Sequence, residues 1–123
     1  MQLSAEIIDP AALDLIRSLQ PESGDELVAH LVSIYLEDAA KHVAAIRRAV
    51  VGSDAELLRV AAHTLKSSSA QLGARKLSES CKALEIAARG NDLSSGDRLA
   101  SDLESEFVRV RAALGQLCSA QAV

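Results

Sequence analysis

From Leu27 to Leu114 the apolar positions of this chain recur at intervals of three and four residues. That spacing belongs to amphipathic helices sharing one core. Punctuating residues divide the pattern. Asp9-Pro10 pairs an N-cap residue with a proline at the first helical position. It predicts a short helix over Pro10 to Leu19, stopped by Gln20-Pro21. Ser23-Gly24-Asp25-Glu26 has capping-box spacing. The helix it opens runs to about Val50, with Leu27, Leu31, Ile34, Tyr35, Ala39, Val43, Ile46 and Val50 facing inward. Ser53-Asp54-Ala55-Glu56 is a second such box. The next helix carries Leu57, Leu58, Ala61, Ala62, Leu65 and Leu72, and Gly73 closes it. A fourth helix spans Ala74 to Arg89, with Leu77, Cys81, Leu84 and Ala88 inside. Gly90-Asn91 ends it, and Ser94 or Ser95 caps a last helix reaching Leu117 through Leu99, Leu103, Phe107, Val110 and Leu114. Residues from Ser119 to Val123 are expected to fray.

Short connections favour antiparallel neighbours. The expected fold is therefore all-α, an antiparallel four-helix bundle with a short additional N-terminal helix as a lid. A chain of 123 residues fits one domain over 1–123, with an ordered core of about 9–118. Composition narrows the function. At 49% apolar residues the chain buries a core and is not a disordered segment. A net charge of −4 gives no basic face for nucleic acid. No apolar run approaches the ~20 residues that span a bilayer. The start of the chain lacks the basic-then-apolar order of a signal peptide. No direct membrane contact and a cytoplasmic location are the expectations. Cys81 and Cys118 stand far apart without a CxxC, which reads as two free thiols in a reducing compartment. His30 and His42 do not sit one turn apart, so no metal site is expected.

The third helix holds the chemistry. Each helical residue turns by roughly 100°. On that wheel Leu58, Ala61, Ala62, Leu65, Ser68, Ser69 and Leu72 share the inner face. Glu56, Arg59, Val60, His63, Lys66, Ser67 and Ala70 share the outer one. His63 therefore points to solvent or to a partner. Lys66 is a cation one turn on, able to stabilise a phosphoryl group. Ser67 and Ala70 are small and leave room for an incoming protein. Phosphoryl transfer needs mostly positioning and charge compensation. A histidine and a lysine supply part of that, and a partner must bring the rest, metal included. A lone helical histidine is most often a solvated residue, and it is the surrounding pattern that argues otherwise. Ser67 as a hydrolytic nucleophile has no base and orienting group beside it in the pattern.

The run His63-Thr64-Leu65-Lys66-Ser67-Ser68-Ser69, followed by Gly73-Ala74, Leu77, Cys81, Leu84-Glu85 and Arg89, resembles the histidine-containing phosphotransfer domains of two-component phosphorelays. The resemblance implies that His63 takes a phosphoryl group on its outer ring nitrogen from a receiver-domain aspartyl phosphate. It then passes the group to a second receiver. It makes Lys66 the phosphate-facing cation and gives Glu85 the task of holding the inner ring nitrogen. Arg89 adds charge near the site or caps its helix. One departure stands out: the family most often has Gly where this chain has Ser67, which takes up space and adds a donor.

The implied partners are receiver domains of a hybrid sensor kinase, of a response regulator, or of both. Arg59, Val60 and Ala70 would dock them, with Arg75 meeting acidic groups and Ile7, Ile8, Leu13 and Ile16 as exposed apolar residues. No cofactor of its own is implied, Mg²⁺ being expected only on the receiver. A monomeric phosphocarrier without turnover chemistry is the leading expectation. A non-phosphorylated four-helix adaptor, and the phosphotransfer part of a hybrid sensor kinase, are the alternatives.

Overall fold

The computed structural model describes residues 7–121, with side chains to residue 118. Among the described residues the helices α1 (Pro10–Arg17), α2 (Gly24–Val51), α3 (Ala55–Gln71), α4 (Arg75–Arg89) and α5 (Gly96–Gln121) follow one another. No strand occurs among the described residues. Each of α2 to α5 packs on its sequence neighbour, α5 closes back on α2, and α1 lies against α2. Short turns between neighbours make the ring antiparallel. The fold is the all-α bundle with a short leading helix that the pattern predicts. α5 runs to Gln121 where a frayed end was expected, while residues 122–123 of that expectation lie outside the described residues.

The caps differ from the expected boxes. Asp9 does cap α1, accepting from the Ala11 amide at 3.0 Å. Ser23 occupies the N-cap of α2 but spends its hydroxyl on Gln20 Oε1, and makes no cap bond. Asp54, not Ser53, caps α3 through the Leu57 amide at 3.0 Å. Ser53 sits at φ 52 in the turn instead.

The inward faces of α3, α4 and α5 largely follow the expected stripes, with Leu58, Leu65, Leu77, Cys81, Leu84, Leu103 and Leu114 fully buried and Leu57, Ser68 and Leu99 half-buried. α2 is rotated by one residue at its start: Val28 and Val32 are buried, Leu27 and Leu31 only half-buried, and Ile34 exposed. The reason is α1. It covers one flank of α2, so this helix carries two apolar faces, and the sequence stripe mixed them. One polar bond crosses the core. Tyr35 Oη and Ser69 Oγ meet at 2.8 Å, and burial pushes the Tyr35 phenol up to about 12. Arg47 ties α2 to α5 through Glu104 (2.6 Å) and Asp97 (2.6 Å). Cys81 and Cys118 are both free thiols.

Candidate functional site

The inward anchors of α3 set the direction of its outer face. With Ala61, Ala62 and Leu65 buried, the His63 side chain is left 53% exposed. On α4 the buried pair Leu84 and Ala88 turns Glu85 toward α3, where its side chain is only 4% exposed. Burying a carboxylate is costly unless it is paired, and here both oxygens are. Glu85 Oε2 lies 3.0 Å from His63 Nδ1 and accepts from Arg89 Nη2 at 2.8 Å. Glu85 Oε1 accepts from Lys66 Nζ at 2.6 Å. Ser78 adds a second tie between the helices, donating to the Lys66 carbonyl at 3.0 Å.

The Lys66 ammonium, helped by the His63 hydrogen bond and the Arg89 charge, holds the Glu85 carboxyl below the usual carboxylate range, against the burial that pushes it up. An ionised carboxylate can only accept. Nδ1 of His63 therefore carries a hydrogen, and in the neutral ring this leaves Nε2 as the nitrogen with the lone pair.

That depressed value has a pH signature. The Glu85 interactions stabilise the fold fully above the unfolded glutamate value of about 4.3, and they are lost as pH falls through the lower folded value. Glu85→Gln should therefore melt below the parent at neutral pH, and the two melting temperatures should draw together as the pH falls below the unfolded glutamate value. A thermal-melt series against pH reads this, and a gap of constant size from neutral to acid would show that the ionised carboxylate is not what stabilises.

The structure brings His63, Lys66, Glu85 and Arg89 together. Lys66, expected as the phosphate-facing cation, rests its ammonium on Glu85. Arg89 pairs with Glu85 through its side chain. The Ser67 hydroxyl, expected as an added donor, donates back to the His63 carbonyl at 3.3 Å. Arg59 is forked onto Glu56 at 2.7 and 3.1 Å, while Val60 is 47% exposed and Ala70 is exposed. Arg75 is taken up by Asp9 at 2.6 Å. Ile8 and Leu13 were expected in an exposed apolar patch, but they are core residues at 0% and 2% exposure. They plug α1 onto the bundle end.

Ile16, expected alongside them, instead lines the apolar surface that the first helices do expose. A groove of about 740 Å³ runs between α1, α2 and α3, walled by Leu15, Leu19, Ile34 and Ala70 among others, with Asp38 and His42 on α2 as polar lining. Thr64, the neighbour of His63, forms part of its wall. Leu15 and Leu19, at 69% and 71% exposure, are the residues sequence reasoning missed. Their spacing by four residues was a signal of a second apolar side, Leu15 on α1 and Leu19 in the turn just after it.

The model of the Hpt domain family matches residues 30–120, which hold the site helices α3 and α4 entire. The chain belongs to the Hpt domain family. Hpt domains act in phosphotransfer within two-component signalling, as carriers that interact with receiver domains. Among solved structures this Hpt domain is similar to the histidine-containing phosphotransfer protein B (HptB) of Pseudomonas aeruginosa PAO1, at 27% identity and a TM-score of 0.84. The similarity covers 94% of this chain and 96% of that one. None of the curated proteins compared matches it. No helix among the described residues of this Hpt domain is long and apolar enough to cross a membrane.

Proposed function

We propose that His63 accepts a phosphoryl group from the aspartyl phosphate of one receiver domain and delivers it to the aspartate of another. The hydrogen bond from Nδ1 to Glu85 carries this reading, because it presents Nε2 as the nucleophile on the exposed side of the ring. Nε2 forms the N–P bond as the P–O bond to the aspartate breaks, and the aspartate leaves with that electron pair. The Nδ1 proton stays on the ring, facing Glu85. The ring of the product is then positively charged, which makes it a good leaving group for onward transfer. The same carboxylate that orients the ring offsets that charge.

The apolar groove opening beside Thr64 suits the docking of a receiver, with Val60 and Ala70 continuing the surface past His63. A single chain suffices, since His63, Lys66, Glu85 and Arg89 all belong to it. The metal and the aspartate belong to the receiver, and the exchange takes place in the cytoplasm.

The test is to mix the protein with a receiver domain charged by acetyl phosphate in Mg²⁺ buffer. Acid-labile, base-stable label should appear on the protein, and peptide mapping should place it on His63. Label at another residue, or none, would sink the reading.

A further inference from the structure

The Glu85 carboxylate has more cationic partners than one buried carboxylate needs. Lys66 occupies Oε1 at 2.6 Å and Arg89 occupies Oε2 at 2.8 Å, while the same Oε2 holds His63 at 3.0 Å. Either cation alone would neutralise the group. The two differ in what else they can reach. Lys66 stands one helical turn from His63 on the same helix, half-buried, on a flexible four-carbon stem. Arg89 lies one turn beyond Glu85 on α4, 61% exposed, in the favourable i,i+4 order with the acid first.

We infer that Arg89 is the standing counter-ion of Glu85, a positioning residue whose presence releases Lys66 to follow the phosphoryl group. This rests on the proposed phosphocarrier reading. Before transfer the cluster of Glu85, Lys66 and Arg89 with a neutral ring holds one net positive charge. Transfer of a PO₃⁻ unit adds one net negative charge, distributed as two on the phosphoryl oxygens and one positive on the ring. With Arg89 the cluster ends neutral. Without Arg89 it would end with one negative charge, and Lys66 would be shared between the buried carboxylate and the phosphoryl group. Leaving a buried carboxylate without a cation is the costlier choice, so Lys66 would stay where the structure has it and the phosphoryl group would lose its nearest cation. The arrangement is a relay of charges: Arg89 keeps Glu85 aligned on Nδ1 while Lys66 turns toward Nε2.

The experiment is a double-mutant cycle on the full chain. Wild type, R89Q, R89K, K66A and the R89Q/K66A pair are mixed with a receiver domain charged by acetyl phosphate, and the initial rate of label transfer is read alongside the thermal melt. R89Q should slow transfer about fivefold and R89K less than about twofold, since a lysine there restores the charge. K66A should cost about tenfold in the parent background and only about twofold in R89Q, where Lys66 is already committed to Glu85. A merely structural Arg89 would lower the melting temperature and leave the K66A penalty the same in both backgrounds, which overturns the inference. R89Q transferring at the parent rate does so too. A parent that takes no label overturns the phosphocarrier reading and the inference together, and is told apart by that blank.

Discussion

His63→Gln should fold like the parent and take no phosphoryl label at all from a charged receiver domain. The side chain is half in solvent and contributes no core packing, so its replacement should change stability by no more than about 1 kcal/mol. Glutamine can still offer an amide hydrogen to Glu85, keeping the carboxylate partnered, but it has no nucleophilic nitrogen. The hydroxyls that could stand in are engaged: Thr64 donates to the Val60 carbonyl, Ser67 to that of His63 and Ser68 to that of Thr64. No base lies beside them to activate an attack. Circular dichroism and a thermal melt check the fold, and a label assay checks the loss. Residual label on the variant would place the acceptor elsewhere.

Gly73→Ala should cost about 2–4 kcal/mol and disturb docking more than chemistry. Gly73 turns the chain from α3 to α4 at φ +81, a region an alanine enters with strain. An added Cβ would stand 2.7 Å from the Asp9 carbonyl oxygen and 3.0 Å from Ala12 Cβ. Those atoms belong to the start of α1, which is also held by the Asp9 amide donating to the Gly73 carbonyl at 3.0 Å. The clash should push α1 off the bundle and distort the groove wall made by Leu15 and Leu19. The expected readings are a lowered melting temperature and weaker binding of a receiver domain. In a saturating titration, by contrast, the maximal transfer rate should stay near that of the parent. An unchanged melting temperature would mean that α1 is not anchored through this turn.

The elements were legible because their punctuation is chemical. Asp9-Pro10, Gly73 and Gly90-Asn91 mark real boundaries, and the inner stripe of α4 appeared residue for residue. What sequence could not give was competition between partners. Ser23 and Ser53 had the right spacing for caps, but a nearby Gln20 and the adjacent Asp54 offered better bonds. The stripe of α2 was misassigned at Leu27 and Leu31 because the position of α1 is a tertiary fact. At the site, spacing could bring Lys66 within a turn of His63, and the family resemblance could suggest Glu85. That both Lys66 and Arg89 converge on one carboxylate depends on how α4 is rotated against α3, and no periodicity reports that angle.

The chemistry and the groove share α3 but otherwise come from different parts of the bundle. His63, Lys66, Glu85 and Arg89 belong to α3 and α4, whereas the groove adds to Thr64 and Ala70 of α3 the side chains of Leu15 on α1, Leu19 in the turn after it and Ile34 on α2. On the proposed docking of a receiver in the groove, substitutions along the outer sides of α1 and α2 would rewire which receiver is served and leave the proposed phosphohistidine chemistry at His63 in place. A lineage could swap signalling partners through surface drift alone, and an engineer seeking an orthogonal relay should randomise α1 and α2 and leave the α3–α4 pair untouched.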